Sequence, residues 1–200
     1  MDIDLGSLPA RDQYKLLSST VVPRPIALVS TRSAAGIDNA APYSFFGVMG
    51  EAPAILALGI KKHPDGRSKD TAANIIETGE FVVHMVDEAL ADGMNACAAS
   101  LAAEESEAEF AGLELLPSQK VVPRRLAAAP VAFECRLAEH LKTVPDRDIL
   151  LGEVVSMHVR DGLVDAETLY VDPDAYKPVG RLFGPYYITA ANRFTLIRPD

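Results

Sequence analysis

Residues 21–48 read VVPRPIALVSTRSAAGIDNAAPYSFFGV, and this stretch decides the predicted fold. Val21–Thr31 is apolar and rich in β-branched residues, which predicts a strand, and its two prolines place the start of that strand at a sheet edge. Ser33–Asn39 contains glycine and aspartate, which favour a turn, and a second strand is expected through Tyr43–Val48. Two strands this close in sequence predict a β-hairpin.

Further strands are expected downstream, with few helices between them. The predicted strands are Ala54–Ile60, which reads as a buried strand, Phe81–Val86, Val131–Leu141 and Ile149–Val159. Strands that follow one another without intervening helices favour an antiparallel barrel with added helices over a parallel doubly wound sheet. The proline-rich tail, from Pro173 onward, is expected to wrap the body as extended chain.

Three helical segments are predicted. Ala10–Leu17 is expected to form a short helix with Tyr14, Leu16 and Leu17 facing inward. Asp70–Thr78 is a second helix, ended by Gly79. The third segment is alanine-rich and amphipathic, with Leu90, Met94, Cys97 and Leu101 at helical spacing.

The composition is that of one soluble globular domain, or at most two small ones, and we expect a single domain spanning residues 1–200. Hydrophobic residues make up 48% and charged residues 24% of the chain, and the net charge is −9. An acidic balance argues against nucleic-acid binding, and there is neither a basic cluster for a membrane surface nor an apolar run long enough to span one. With no signal-peptide pattern, the expected location is the cytoplasm.

The acidity is concentrated in one segment. Asp87–Gln119 contains eight acidic residues and no lysine or arginine, and without it the chain has 20 acids against 19 bases. We expect this segment to be a helical excursion with a solvated surface.

Motifs for side-chain catalysis are missing. No GxSxG elbow, GxGxxG fingerprint or P-loop occurs, and the scattered histidines and cysteines do not predict a metal site. Cys97 and Cys135 are expected to be core residues. An enzyme built on this sequence therefore needs a cofactor to supply its chemistry.

The loop Lys61–Lys69 is a candidate anion site. It carries four basic residues and one acid, and the helix predicted from Asp70 begins directly after it. A helix N-terminus offers free N–H groups to a phosphate, to which Lys69, Ser68 and Thr71 add a charge and hydroxyl groups. The alternative is that Asp70 or Thr71 caps the helix and the lysines are solvated.

A second candidate region lies in the predicted hairpin. Hydroxyl and amide groups cluster at Ser30, Thr31, Asn39 and Ser44, and the small side chains of Ala40 and Ala41 allow a flat ligand to approach the backbone. The alternative is an ordinary hairpin turn. We expect Phe45 and Phe46 to be core residues. The alternative is that one of them is a platform on which a flat ligand stacks.

Several motifs recur in a familiar order. They are PRPIALVST at 23–31, NAAPYSFF at 39–46, KDTAANI at 69–75, FVVH at 81–84, ECRL at 134–137, LGEVV at 151–155 and PVGRL at 178–182. With these motifs the chain resembles the flavin reductase-like family of FMN-binding split-barrel proteins, which includes flavoredoxin, from about Tyr14 to Pro199. The resemblance implies a six-stranded antiparallel split β-barrel of Greek-key type and a homodimer with non-covalent FMN near the subunit interface.

The resemblance also implies site residues. Lys69, Asp70 and Thr71 match positions that contact the phosphate end of the flavin. The strand residues that match positions along the rest of the cofactor are Ser30, Thr31, Asn39, Ala41, Ser44 and Phe45. Arg24 either contacts phosphate or forms a structural ion pair. Arg181, Tyr186 and Tyr187 match a C-terminal motif that closes over the cofactor and lines the substrate mouth.

Two positions depart from the family pattern. Arg147, which we expect at the substrate mouth, stands where many relatives have a histidine. A nicotinamide-handling role that uses that histidine is therefore in doubt, although an arginine can bind an anionic donor. Phe183 replaces a glycine of the family's Arg-Leu-Gly-Gly motif and adds bulk near the substrate mouth.

Three functions are compatible with the resemblance. The first is an NAD(P)H-dependent flavin reductase-like enzyme that passes electrons through FMN to a small-molecule substrate or acceptor. The second is an electron-transfer flavoprotein, like flavoredoxin, that serves a redox partner protein. The third is a flavin-binding protein without catalytic turnover.

Overall fold

The structure is a computed structural model, and it describes residues 1–197 and residue 199. Within these residues the α-helices are α1 (Ala10–Thr20), α2 (Asp70–Thr78), α3 (Ala91–Ala96) and α4 (Glu107–Phe110). The strands are β1 (Arg24–Pro25), β2 (Ala27–Arg32), β3 (Asp38–Tyr43), β4 (Phe46–Glu51), β5 (Ala54–Lys61), β6 (Glu80–Met85), β7 (Leu115–Leu116), β8 (Arg125–Leu126), β9 (Val131–Leu141), β10 (Arg147–Val159), β11 (Val179–Arg181) and β12 (Tyr187–Thr189). The protein is mainly β with added helices, as predicted.

The main sheet has seven strands in the order β3-β2-β6-β9-β10-β5-β4, and every neighbouring pair is antiparallel. Its two edge strands, β3 and β4, are consecutive in the chain and separated only by Ser44 and Phe45. Counted as one bent strand, they reduce the seven strands to the predicted six. The extra strand in the structure is therefore the result of this bend.

The bend closes the barrel. Before it, Tyr43 is paired with Ala27 of β2, and after it, Phe46 is paired with Leu58 of β5. At the bend, the Gly59 N–H donates to the Phe45 carbonyl at 2.7 Å. One strand thus pairs with both ends of the sheet and leaves a split where it changes partner.

The barrel interior is apolar, and α2 covers one of its ends. Ala72 and Ile75 of α2 are buried among the side chains of β2, β5, β6, β9 and β10. The helix ends at Gly79, whose φ of 75° is readily adopted only by glycine. The predicted bounds of this helix are confirmed.

The segment between β6 and β9 packs on the outside of the barrel. Leu28 and Ala40 point outward from β2 and β3 and form a second apolar cluster with Leu90, Met94 and Cys97. Because Ala27 and Val29 point inward, β2 is buried on both faces. Two-sided burial matches the apolar first half of the strand, residues 27–29, whereas Ser30 and Thr31 in its second half are buried with hydrogen-bond partners.

Two buried polar side chains attach this outer segment to the barrel. His84 Nδ1 lies 2.8 Å from the Leu28 carbonyl, and Nε2 accepts from the Leu126 N–H at 2.9 Å. The fully buried carboxylate of Glu134 accepts the N–H groups of Gln119 and Lys120 and contacts His158. These bonds satisfy backbone groups that the outer segment would otherwise leave unpaired.

The first predicted strand, Val21–Thr31, is divided in the structure. Its prolines interrupt the ladder, so β1 pairs with β11 in a separate three-stranded sheet, and β2 begins only at Ala27. The hairpin is confirmed, but its second strand is β3 rather than Tyr43–Val48. The strand β5 alternates between buried and partly exposed residues instead of being buried throughout.

For the first helix, the sequence prediction named the wrong residues as facing inward. Tyr14 and Leu17 are exposed, Leu16 is half-buried, and Ser18 is the buried residue of α1. Arg24 explains the orientation, because its guanidinium donates to the carbonyls of Ser18 and Val21 and draws the C-terminal end of α1 inward.

The acidic segment also differs from its prediction. Instead of one amphipathic helix reaching Leu101, α3 ends at Ala96, and the short α4 follows later. Leu90, Met94 and Cys97 are buried, but so are the acidic residues Asp87 and Glu107. The surface of this segment is therefore not simply solvated.

The C-terminal tail is more regular than an extended wrapping chain. Residues of β11 pair with both β1 and β12, which forms the small three-stranded sheet beside the barrel.

We predict that Gly152→Ala destabilises the fold by about 1–3 kcal/mol. A Cβ at Gly152 would lie 2.9 Å from Phe81 Cε1 and would overlap the tip of that fully buried ring. Urea denaturation measures the loss. Gly6→Ala is the control, because a Cβ there meets only an Asp4 oxygen at 3.4 Å. Equal stability of the two variants would contradict the prediction.

We also predict acid destabilisation through His84. Burial lowers the pKa of His84 from 6.5 to about 4, so its stabilising effect is complete above pH 6.5 and is lost as the pH falls toward 4. The loss is on the order of 3 kcal/mol. Urea denaturation of wild type and His84→Gln between pH 7 and 4 measures it, and the decline should be smaller in the variant. The same decline in both proteins would contradict the assignment.

Candidate functional site

A groove runs along the C-terminal end of β3, between the barrel and the chain that follows α3. It consists of two adjoining cavities of about 200 and 320 Å³ that share Pro42, Tyr43 and Ala98 as walls. The smaller cavity reaches Lys69–Thr71, and the larger one reaches Arg181 and Tyr187. We call the first the α2 end and the second the mouth of the groove.

At the α2 end, the helix N-terminus has no side-chain cap. The N-cap residue is Lys69, with extended backbone, and the Thr71 hydroxyl donates to Asn39 rather than to the helix. The alternative in which Asp70 or Thr71 simply caps the helix therefore does not hold. The first-turn N–H groups, together with the exposed ammonium of Lys69, form a positive end suited to an anion.

A buried polar network fixes the wall beside this helix. Asn39 Oδ1 accepts from the Thr71 hydroxyl at 2.7 Å and from the Thr31 hydroxyl at 3.3 Å. Asn74 Nδ2 donates to Thr31 Oγ1 at 3.0 Å. Because these bonds join Asn39 of β3 to α2, they fix the position of the helix N-terminus beside the groove.

Glu107 completes the network and was missed by the sequence analysis. Its two carboxylate oxygens accept from Asn39 Nδ2 at 3.1 and 2.9 Å, and one also accepts from the Ala40 N–H at 3.2 Å. Burial raises the pKa of Glu107, and the hydrogen bond from Ala40 opposes that rise. Ser106, which caps α4, was a usable signal for a helix start, but nothing in the local sequence indicates that Glu107 turns inward.

Burial also raises the pKa of Tyr43, although the hydrogen bond with Thr71 opposes that rise. Its phenol therefore stays neutral at physiological pH. Tyr43 lines both cavities and forms an uncharged wall between the α2 end and the mouth.

Aromatic rings and arginines surround the mouth. The Tyr14 and Phe45 rings are stacked with centroids 6.1 Å apart, and the Arg147 guanidinium lies 4.3 Å from the Phe45 centroid. Arg181 lies 4.4 Å from the Tyr187 centroid. Phe46 packs against the barrel core, whereas Phe45 is half-buried between Tyr14 and Arg147, so the core interpretation holds for Phe46 alone.

Most of the predicted site residues meet in this groove. Those that line it are Asn39, Ala41, Ser44, Lys69, Asp70, Thr71, Arg181 and Tyr187. Phe45 and Arg147 lie behind Tyr14 rather than in the lining, and Tyr186 is exposed and packs edge-on against Phe183.

Three predicted contact residues lie outside the groove. Ser30 points to the outer face of β2, where its hydroxyl donates to the Arg124 carbonyl at 2.6 Å. Thr31 is fully buried and acts through Asn39. Arg24 is buried among the carbonyls of Ser18, Val21 and Leu182, and within the described chain it forms no ion pair.

Residues 1–197 and 199 contain no cluster of three or more histidine, cysteine or acidic residues that could bind a metal ion. Among these residues no helix is long and apolar enough to cross a membrane.

Comparisons with known proteins identify relatives along the whole chain. The family model of the flavin reductase like domain matches residues 18–180. The uncharacterized protein YwrF of Bacillus subtilis is 44% identical over an alignment of 198 positions, and the match covers 96% of each chain. The crystal structure of 2-nitrobenzoate 2-nitroreductase of Pseudomonas fluorescens is 39% identical, has a TM-score of 0.91, and is matched over 100% of this chain and 96% of that one. Nitrilotriacetate monooxygenase component B from Bacillus cereus is 33% identical, with a TM-score of 0.92 and 98% of both chains covered.

We predict that Glu107→Gln destabilises the protein by about 1–3 kcal/mol, because a buried amide NH2 would face the Asn39 and Ala40 donors. Urea denaturation measures the change. Glu109→Gln on the same helix is the matched control, since Glu109 is exposed, and it should change stability by less than about 0.5 kcal/mol. If both variants matched the wild type, the network would not have the role assigned to it.

Proposed function

The chain belongs to the flavin reductase like domain family, and we propose from this membership that it is an FMN-dependent oxidoreductase with NAD(P)H as electron donor. The family places it among flavin-related oxidoreductases. FMN, the nicotinamide donor and the transfer of electrons to a small-molecule acceptor are the parts that we propose.

The observation that carries the proposal is the uncapped N-terminus of α2 beside Lys69. An FMN phosphate would accept from the first-turn N–H groups of α2 and pair with the Lys69 ammonium. The loop before it adds further positive charge, so the −9 net charge of the protein does not oppose an anion here.

The rest of the groove suits the remainder of such a ligand. Ala41 and Ala98 are small and leave the backbone accessible, and Asn39 and Ser44 supply polar groups along the wall. The elongated shape, with one positive end and a wider mouth, fits a molecule with a phosphate at one end and a flat ring system at the other.

When bound, FMN supplies the hydride and electron chemistry. The residues of this chain would bind and orient it. Lys69 and α2 hold the charged end, the Asn39–Glu107 network keeps the wall rigid, and the chain at Ala98–Leu101 limits the access of water. Hydride transfer needs no side-chain general base, which agrees with the absence of a catalytic motif in the sequence.

Anaerobic bleaching of the FMN-loaded protein tests the proposed activity. We expect NADH or NADPH to bleach the flavin absorbance. Bleaching by a reduced redox protein alone would favour the electron-transfer alternative, and a protein without any flavin affinity would overturn the proposal.

We also propose that the protein is a cytoplasmic homodimer. Leu17 of α1 and Val48 and Met49 of β4 are exposed apolar side chains, which a second copy would cover. Both cysteines are free and buried, as is usual in a reducing compartment.

We predict that Lys69→Ala weakens FMN binding about tenfold or more, because a charge-assisted hydrogen bond contributes about 1.5–3 kcal/mol. Quenching of flavin fluorescence on titration with apoprotein measures the affinity. Arg67→Ala removes one positive charge from the same loop, but Arg67 is exposed and already paired with Asp65. That control should bind FMN like the wild type, and equal losses in both variants would contradict a specific role for Lys69.

A further inference from the structure

Four cations lie at the mouth of the groove or behind the residues that form its wall. Within the described chain, no carboxylate oxygen lies within 4 Å of the charged nitrogens of the four. They are Arg24, Lys61, Arg147 and Arg181. Such a cluster is unexpected in a protein whose net charge is −9.

Two of these arginines repel each other directly. Arg24 and Arg181 are paired across β1 and β11, an arrangement that destabilises a sheet when both residues carry the same charge. Burial lowers the pKa of Arg24, and the nearby charge of Arg181 lowers it further. Elsewhere the protein neutralises such pairs, since Asp38 contacts both Arg32 and Arg124.

The cations are associated with aromatic rings that border the larger cavity. Lys61 Nζ lies 5.8 Å from the Tyr14 centroid, and Arg181 lies 4.4 Å from that of Tyr187. Tyr14, Tyr187 and Arg181 all line the cavity of about 320 Å³. Arg147 does not line the cavity, but its guanidinium contacts Phe45, whose ring is stacked with that of Tyr14.

Arg181 is also available to a ligand. Its Nη2 donates to the Gly184 carbonyl at 2.6 Å, and its other two nitrogens donate to no group in the described part of the chain. A half-exposed guanidinium with free N–H groups can bind a carboxylate with two parallel hydrogen bonds.

From this geometry we propose that the mouth of the groove selects a small planar aromatic carboxylate as the substrate of the enzyme. Arg181 binds the carboxylate, and the rings of Tyr14 and Tyr187 pack against the aromatic ring. Lys61 and Arg147 add a positive field that favours the anion over a neutral analogue. The proposal rests on the proposed function, because the ligand would share the mouth with the flat ring system of a flavin whose phosphate is at the α2 end.

Calorimetric binding of benzoate and of neutral benzamide tests the proposal, with both the apoprotein and the FMN-loaded protein. We expect benzoate to bind at least about tenfold more tightly than benzamide, a difference of about 1.4 kcal/mol. Arg181→Gln should remove that preference and leave benzamide binding within about twofold of the wild type. Arg193→Gln is the matched control, because this exposed arginine of the C-terminal segment is already paired with Asp174.

The outcomes separate this proposal from the proposed function. Equal affinities for benzoate and benzamide would overturn the selection of an anion. A loss of FMN affinity in Arg181→Gln matching the loss of benzoate affinity would overturn it too, because the arginine would then belong to the cofactor site. If benzoate bound with the expected preference but the wild type bound no FMN, the proposed function would fail while the anion site stood.

Discussion

The bend between β3 and β4 is the constraint on which the rest of the structure depends. A barrel needs one strand that pairs with both ends of the sheet, and here that strand changes partner at Ser44 and Phe45. The residues just before the change, Pro42 and Tyr43, form the last pairs of the edge strand β3 with β2 and are the shared wall of both cavities. The bend that closes the barrel thus lies directly beside the wall of the groove.

The segment between β6 and β9 then gives the groove its second side. His84 and Glu134 attach it to the outer face of the barrel through backbone N–H groups, and Glu107 reaches from it to Asn39 on β3. Because Asn39 also contacts α2 through Thr71, one network joins strand, helix and outer segment. The acidic segment is therefore part of the site, although most of its charges face solvent.

The sequence was most informative where the pattern was local and repeated. Strand β9 and helix α2 lie where predicted, since apolar alternation in the first and Gly79 at the end of the second are properties of the chain itself. The lining residues on β3 and α2 were also predictable, from motifs shared with a family. Partners distant in sequence could not be predicted, because the inward turn of Glu107 and the outward direction of Ser30 depend on how the outer segment packs. The prediction of the inward face of α1 failed for the same reason, because the orientation of this helix depends on the contact of Arg24 with the Ser18 carbonyl.

Helix α2 has two roles that are physically inseparable. Its middle fills the end of the barrel core with Ile75, and its first turn presents N–H groups to the groove. Any anion that binds there only in the folded state raises the free energy of unfolding by RT ln(1 + [L]/Kd), which is about 2.7 kcal/mol at a hundredfold excess over Kd. A shortage of that ligand would remove this stabilisation, so the unfolded fraction, and with it the exposure of the protein to proteolysis, would rise as the ligand became scarce.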